Sequence, residues 1–324
     1  MVWVSVTIAA VVVVLIVGAM IGIALTVGWR LTHPPRKPIT MQPETFQIAH
    51  YETVLFPSRD QQILLSGWYI RAEENGVNSN GHTLIFAHGY GQNRLEPHLP
   101  ALSLASRLLA EGYDIFMFDF RNAGMSEGTV TTVGLYEQRD LLGAVDYVSQ
   151  RFPRQQIALI GFSMGAAVSL LAAASDQRIQ AVVADSPFSS LWDYLQENLP
   201  HWTGLPRFPF NMIILTLVPL LLRANPRQVQ PYLAAQKLAP RPLLLIHGLA
   251  DETVPYQNSC RLIEAADNPH AQLWLVPGAG HVRSYAANPG EYSERVITFL
   301  QQSLRGRAGL RNRGAGKQEP PFSQ

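Results

Sequence analysis

Short, continuous apolar runs that alternate with amphipathic stretches of helical length constrain the fold of this chain most strongly. The apolar runs lie at 83–87, 114–118, 156–160, 180–184, 242–247 and 272–276. The helical stretches include 99–111, 136–151, 164–175 and 291–304, and a weakly alternating segment at 62–70 adds an early strand. Apolar strands that alternate with helices predict an α/β fold with a mostly parallel sheet flanked by helices on both faces.

The N-terminal residues 1–29 form a separate feature, because they contain no Asp, Glu, Lys or Arg. A membrane-spanning helix needs about 20 apolar residues, so this stretch is long enough to cross a bilayer. A cleaved signal peptide is the alternative, with Val-Gly-Ala at 17–19 as a small-residue cleavage site. Signal peptides, however, have a basic start and an apolar core of about 7–15 residues. We therefore predict a retained, single-pass transmembrane helix.

The charges that follow this helix predict its orientation. Arg30, Arg36 and Lys37 come after the apolar stretch, whereas no basic side chain precedes it. Because positive flanks favour the cytoplasmic side, we expect the folded domain to lie in the cytoplasm. Residues 30–49 are rich in proline and predict an extended tether between the anchor and that domain.

Charge and cysteine content exclude several classes of protein. The chain has 25 Lys and Arg against 24 Asp and Glu, so it lacks the basic excess that nucleic-acid binding needs. Cys260 is the single cysteine, which excludes an intrachain disulfide and a cysteine-built zinc site. No motif indicates a metal or an organic cofactor, and we expect neither.

The segment 161–165 reads Gly-Phe-Ser-Met-Gly and joins an apolar run to a helical stretch. G-x-S-x-G in a strand–turn–helix context predicts that Ser163 is a nucleophile on a strained turn. The flanking glycines remove side chains that would clash in such a turn. The following helix directs its first amides at the site, so the Met164 N–H is a candidate donor to an oxyanion.

A serine hydroxyl needs a base, and nine histidines are available. His281 follows the last apolar run in a glycine-rich loop, which favours it over a histidine within an element. The orienting acid should come between the two in chain order. Asp251 follows the run 242–247 and is the predicted acid, while Asp185 after the preceding run stays open as the alternative. If Asp251 is not the acid, it caps the next helix.

The second oxyanion donor is expected in the loop after the run 83–87. This loop begins His-Gly-Tyr-Gly at 88–91, and its glycines permit tight turning. We assign the Tyr90 N–H as the donor. We expect His88 to shape the loop by hydrogen bonding rather than to act as a base.

Together these segments resemble the α/β-hydrolase superfamily, in particular its lysophospholipase-like and monoglyceride-lipase-like branch, which includes membrane-tethered serine hydrolases. The resemblance covers about residues 50–304. It rests on His88-Gly89, the segment 119–126 (Asp-Phe-Arg-Asn-Ala-Gly-Met-Ser), the turn around Ser163, the segments His247-Gly248 and 251–255, and Gly280-His281. Many relatives have Arg-Gly where Arg121-Asn122 stands, which puts the shape of the pocket in question but not the catalysis.

The resemblance also implies that residues 188–241, which follow the sixth strand, form an α-helical cap. Within them, 210–222 is strongly apolar and is interrupted by Pro219. A helix packed on the core would have this composition, but the chain order favours a lid over the active site, beside the membrane. Residues 305–324 are predicted to form a disordered basic tail, either solvated or attracted to anionic lipid.

These features predict a membrane-anchored serine hydrolase that cleaves an ester or thioester of an acyl or lipid-like substrate. Ser163, Asp251 and His281 form the catalytic triad, and the Tyr90 and Met164 amides form the oxyanion hole. A serine peptidase of the same fold, a small-ester esterase and a non-catalytic membrane-tethered scaffold are the alternatives. The expected partners are the acyl substrate and the lipid bilayer. The sequence indicates no oligomeric state.

Overall fold

The computed structural model describes residues 2–97 and 99–314. Eight strands form one sheet in the order β1-β2-β4-β3-β5-β6-β7-β8. Strands β1 and β2 are antiparallel to their neighbours, and β3 to β8 are parallel, which confirms the mostly parallel sheet. The strands are β1 (Glu52–Pro57), β2 (Leu64–Ile70), β3 (His82–Ala87), β4 (Asp114–Phe118), β5 (Gln156–Phe162), β6 (Ile179–Asp185), β7 (Leu243–Gly248) and β8 (Ala271–Val276).

Helices cover both faces of the sheet, because its central strands are apolar on both sides. Every residue of β3, β4 and β7 is buried. Side chains of α2 and α10 contribute to the core on one face, and those of α3, α4, α7 and α8 to the core on the other. The helices are α1 (Val2–Thr32), α2 (Ala101–Ala110), α3 (Glu137–Arg151), α4 (Met164–Ser175), α5 (Leu191–Thr203), α6 (Met212–Leu222), α7 (Pro231–Ala235), α8 (Gln257–Ala266), α9 (Ser284–Ala287) and α10 (Pro289–Gly314).

The edge strand β1 is a strand that the sequence did not predict. Val54 and Phe56 are buried, but the residue between them, Leu55, is an exposed hydrophobic. The apolar side chain on the solvent face hides the alternation that identifies a half-buried strand.

Helix α1 is long and apolar enough to span a membrane, and most of its side chains are exposed. It extends to Thr32, beyond the predicted end at residue 29. Helix α5 and the segment Arg207–Leu222 are bent by 116° relative to each other. If the two are counted as one broken span, they form a second candidate span in the described part of the chain. The C-terminal end of α1 packs on α6. A Cβ atom on Gly28 would lie 2.2 Å from Val218 Cγ2, so the two helices are in close contact there.

The proline-rich segment after α1 is extended and is hydrogen-bonded to the domain. The Arg36 guanidinium donates to the carbonyls of Ser126 and Gly128. The Lys37 ammonium donates to Gln92 Oε1 over 2.7 Å, and the Asn93 side chain donates to the Lys37 carbonyl over 3.1 Å. The segment therefore fixes the end of α1 against the loop that follows β3.

The predicted cap at 188–241 is smaller than the sequence indicated. Helices α5 and α6 lie outside the sheet layers, as expected for a cap. Helix α7, however, packs on α4 and α8, and its residues Ala234 and Ala235 are buried in the core of the sheet. The prediction was wrong for this part, because alanine-rich apolar sequence fits a core helix and a cap helix equally well.

The predicted disordered tail is also partly corrected. Helix α10 continues to Gly314, so residues 305–314 are helical. Ala308, Leu310 and several arginines in this stretch favour helix, although its glycines suggested disorder. The rest of the predicted tail, 315–324, lies outside the described residues.

Candidate active site

Ser163 lies on a sharp turn between β5 and α4, with a φ angle of 52° and a ψ angle of −115°. This backbone conformation is strained for a residue with a side chain. Gly161 and Gly165 make it possible, because a Cβ on Gly161 would lie 2.4 Å from the Gly165 carbonyl oxygen and one on Gly165 would lie 2.0 Å from that of Ala87. The Ser163 N–H donates to the Asp185 carbonyl over 2.8 Å.

The loops after β5, β7 and β8 bring the three predicted triad residues together. His281 Nε2 lies 2.8 Å from Ser163 Oγ. His281 Nδ1 lies 2.7 Å from Asp251 Oδ2. A neutral imidazole has one donor and one acceptor nitrogen, and a carboxylate only accepts. Nδ1 therefore carries the proton and Nε2 accepts from the serine hydroxyl, which is the arrangement that a general base requires.

Asp251 is buried and is held by several donors. Its Oδ1 accepts hydrogen bonds from the backbone N–H groups of Thr253, at 2.9 Å, and Val254, at 2.8 Å. Burial alone would raise the pKa of Asp251, but hydrogen bonds from His247 and His281 outweigh it and lower that pKa to about 2. The group is therefore an anion at any pH at which the protein would act.

His247 is a residue next to the acid that the sequence did not identify as part of the site. Its ring is fully buried, with Nε2 2.8 Å from the Val254 carbonyl and 3.2 Å from Asp251 Oδ2. Nδ1 lies 2.7 Å from Ser259 Oγ. Since a carbonyl only accepts, Nε2 is the donor, and the same N–H faces the Asp251 carboxylate. In the sequence, His247 stands near the end of an apolar run, a position that is equally typical of a buried core histidine.

The two predicted oxyanion donors line the same cavity as Ser163. Met164 begins α4, so its N–H has no acceptor within the helix. Tyr90 follows Gly89 in the loop after β3, and its hydroxyl donates to the Leu31 carbonyl over 2.6 Å. His88 holds this loop: its Nε2 accepts from the Phe120 N–H over 3.0 Å, and Nδ1 lies 2.8 Å from the Gly89 carbonyl. His88 thus has the loop-shaping position expected of it.

Asp185, the alternative acid, does not bond to His281. Its carboxylate accepts from Ser186 Oγ over 2.9 Å and from the Tyr292 hydroxyl over 3.0 Å. Burial raises the pKa of Asp185 to about 6. Ser186 Oγ in turn accepts from the Val282 N–H over 3.2 Å. Asp185 is therefore linked through Ser186 to the loop that carries His281.

The segment 119–126 braces the loop after β3. The Asp119 carboxylate forms a buried ion pair with the Arg94 guanidinium at 2.6 Å and accepts from the Arg94 N–H at 2.8 Å. Asn122, where the resemblance to the family predicts glycine, has a φ angle of 56°. Asparagine tolerates this left-handed conformation better than most residues, so the departure leaves the turn intact.

Glu96 is a second residue that the sequence did not single out. It is buried in the wall of the Ser163 cavity, and its Oε2 accepts from the Gly89 N–H over 2.6 Å. Burial raises the pKa of Glu96 to about 7, although the Gly89 hydrogen bond and the charge of Lys37 act in the opposite direction. The carboxyl group fixes the residue that precedes the Tyr90 amide.

We expect Glu96→Gln to weaken the pH dependence of stability. The pKa of Glu96 is raised from 4.5 to about 7 on folding, so its contribution is present below pH 4.5 and is lost as the pH rises through 7. Between pH 5 and pH 8 the wild type should lose about 1–3 kcal/mol more unfolding free energy than Glu96→Gln. Chemical unfolding in detergent measures this. The exposed control Glu264→Gln should follow the wild type, and identical curves for all three proteins would refute the assignment.

The cavity that contains Ser163 and His281 has a volume of about 560 Å³. Its lining includes other polar residues, among them Gln92, Glu96 and Thr253. Apolar side chains line the part that faces the cap and α1, namely Leu31, Val133, Phe188, Leu195, Leu199 and Trp202. Within residues 2–97 and 99–314, no three His, Cys, Asp or Glu side chains come together as metal ligands.

Comparisons with known proteins identify the fold. The family model described as the alpha/beta hydrolase fold matches residues 82–212. The uncharacterized protein YfhR of Escherichia coli strain K12 is 30% identical over 258 residues, which span 78% of this chain and 81% of YfhR. Human protein ABHD12B is 27% identical over 210 residues, which span 63% of this chain and 54% of that protein.

Among solved structures, the esterase Pf2001 of Pyrococcus furiosus is similar to this chain. The sequences are 30% identical and the TM-score is 0.70, with 85% of this chain and 98% of the esterase covered. These matches confirm the fold that the order of strands and the turn at Ser163 predicted.

Proposed function

The chain belongs to the α/β-hydrolase family, and we propose that it is a serine hydrolase that cleaves esters or thioesters of acyl, lipid-like substrates. The observation that carries the proposal is the continuous hydrogen-bonded series Ser163–His281–Asp251, whose serine and histidine line a large, mostly apolar cavity. A non-catalytic scaffold would not need a base in contact with a serine on a strained turn.

In the proposed mechanism, Ser163 Oγ attacks the carbonyl carbon while His281 Nε2 takes the hydroxyl proton. The Asp251 carboxylate fixes the Nδ1–H tautomer and stabilises the imidazolium that forms. His281 then protonates the leaving oxygen or sulfur, and an acyl-enzyme remains on Ser163. Water, deprotonated by His281, attacks the acyl group and releases the acid and free serine.

The Tyr90 and Met164 N–H groups are the proposed donors to the tetrahedral oxyanion. Both residues border the cavity beside Ser163, and backbone amides fixed before the reaction cost no reorganisation at the transition state. The hydrogen bond from Tyr90 Oη to the Leu31 carbonyl and the Glu96–Gly89 contact both support the position of the first donor.

The apolar lining of the cavity and the relative named as an esterase support an acyl substrate. Apolar pockets with a few convergent polar groups are typical of small-molecule sites. The cap also carries apolar side chains on its outer surface: Phe208, Met212 and Leu220 are 79%, 60% and 70% exposed. Such residues beside an apolar N-terminal helix favour a domain that rests on a lipid surface.

A panel of substrates tests the proposal. Purified full-length protein should hydrolyse p-nitrophenyl esters from butyrate to palmitate, and a palmitoyl thioester, more efficiently than an aminoacyl p-nitroanilide. Hydrolysis of the anilide alone would indicate that the protein is a peptidase of the same fold and not an esterase. No hydrolysis of any substrate, by protein that is folded by circular dichroism, would refute the proposal.

We further propose that α1 is retained as a membrane anchor, with the hydrolase domain on the cytoplasmic side. The contacts of Gly28, Arg36 and Lys37 hold the C-terminal part of α1 on the domain. The exposed apolar side chains of residues 2–19 favour retention, because a bilayer would cover them. Mass spectrometry of the membrane fraction should detect peptides that precede residue 20. A soluble protein that begins near residue 20 would identify a signal peptide instead. Protease accessibility of the domain in intact cells tests the orientation.

A further inference from the structure

A second, smaller cavity lies between α1 and the cap. Its volume is about 90 Å³, and its lining is almost wholly apolar. Helix α1 contributes Gly28 and Leu31, while α6 contributes Ile214, Leu215 and Val218. Apolar cavities of this order stay dry and bind small hydrocarbon groups.

This cavity adjoins the one that contains Ser163. Four residues line both cavities, and all four are apolar: Leu31, Val133, Leu195 and Leu199. The two cavities therefore share an apolar wall, and an extended group that runs along this wall from Ser163 would reach α1 and α6. A hydrocarbon group fits this cavity better than an ion, because none of its described lining residues is charged.

We propose that the second cavity, called here the distal acyl site, binds the far end of the substrate's acyl chain, and that the membrane helix α1 forms one of its walls. This inference rests on the proposed hydrolase function and deepens it. The ester group and the first methylenes occupy the larger cavity, and the remaining methylenes reach the distal acyl site. Preference for long chains then depends on α1 as well as on the cap.

The packing of α1 on the cap keeps this wall in place. Ala24 is fully buried in a cluster with Leu199, Ile214 and Leu215. One turn later, Gly28 lies so close to Val218 that any side chain at position 28 would clash with it. The N-terminal helix is thus a structural part of the substrate site and not only a tether.

A Leu215→Trp variant tests the proposal, since a larger side chain there fills the distal acyl site. Hydrolysis of p-nitrophenyl palmitate and p-nitrophenyl butyrate is compared in the same detergent micelles with full-length protein. Each methylene excluded from an apolar site costs about fourfold in kcat/KM. We expect the palmitate-to-butyrate ratio of kcat/KM to fall by about tenfold or more. The control Leu221→Trp, on the same helix and 71% exposed, should keep the wild-type ratio.

Several outcomes would overturn the inference. They are an unchanged ratio in Leu215→Trp, equal losses on both esters, and the same fall in ratio in Leu221→Trp. Each would leave ester hydrolysis at Ser163 intact as a proposal. Wild-type protein that hydrolyses neither ester would instead refute the proposed function, and this inference with it.

A second measurement uses the wild-type protein, so its result does not depend on whether a variant folds. A hexadecyl fluorophosphonate with a terminal diazirine should react with Ser163, and light should then cross-link its far end to peptides of α1 or α6. Cross-links to the loops around Ser163 alone, or to added lipid alone, would show that the chain does not reach the distal acyl site.

Discussion

Replacing Ser163 by alanine is expected to reduce kcat/KM for an acyl ester by about 10⁴- to 10⁶-fold. The variant loses the group that forms the acyl-enzyme, so only binding and the oxyanion donors remain, and removal of a triad serine costs up to about 10⁶ in a serine protease. Steady-state hydrolysis of p-nitrophenyl butyrate measures the loss. The matched control is Ser175→Ala at the other end of α4, where the hydroxyl bonds only to helix carbonyls and to Gln138.

Ser175→Ala should retain nearly wild-type kcat/KM. Activity of Ser163→Ala within about tenfold of the wild type, in a preparation free of other hydrolases, would mean that another group attacks the ester.

Asp251→Asn is expected to reduce kcat by about 10⁴-fold, the magnitude known for the equivalent change in a serine protease. The amide no longer fixes His281 as the Nδ1–H tautomer and no longer stabilises the imidazolium. The effect should persist across the pH range, because the pKa of Asp251 is about 2 and the wild-type group is always ionised. Ester hydrolysis between pH 6 and pH 9 measures it.

Asp185→Asn is the control, since Asp185 bonds to Ser186 and Tyr292 and not to His281. We expect a loss of less than about a hundredfold, through movement of the His281 loop. A collapse of activity in Asp185→Asn together with near wild-type activity in Asp251→Asn, both folded, would reverse the assignment of the acid.

The proximity of Ser163, Asp251 and His281 could be predicted because each residue follows a strand of a parallel sheet. The carboxyl ends of such strands meet at one edge, so a serine, an acid and a histidine placed after β5, β7 and β8 converge there. The glycines of the turn at Ser163 added a local signal. Chain order and turn chemistry were therefore enough to predict that Ser163, Asp251 and His281 lie together.

Contacts across long sequence separations could not be predicted. Glu96 reaches the Gly89 amide only because its loop folds back, and a carboxylate in a polar loop gives no sign of that. His247 stands at the end of an apolar strand, where a buried core histidine is equally expected. The contact between Gly28 and Val218 joins two apolar helices. Their composition is equally compatible with burial in a bilayer, burial in a protein core and packing of the two helices on each other.

The packing of α1 against the cap gives this helix a role beyond the proposed anchor. The sequence predicted a transmembrane helix followed by an extended tether. The Tyr90–Leu31 hydrogen bond instead joins the end of α1 to the residue whose amide is the proposed oxyanion donor. Removal of residues 1–33 should therefore impair catalysis as well as membrane attachment. Comparison of the truncated and full-length proteins on butyrate and palmitate esters, in the same micelles, measures both effects.

The most direct measurement of the central proposal is the mass of the protein after reaction with a fluorophosphonate, followed by peptide mapping. We predict that wild-type protein gains one phosphonyl group on Ser163, that Asp251→Asn gains it far more slowly, and that Ser163→Ala gains none. A phosphonyl group on any other residue of the wild type, or labelling of Ser163→Ala at the wild-type rate, would contradict the proposal that Ser163 is the nucleophile of this hydrolase.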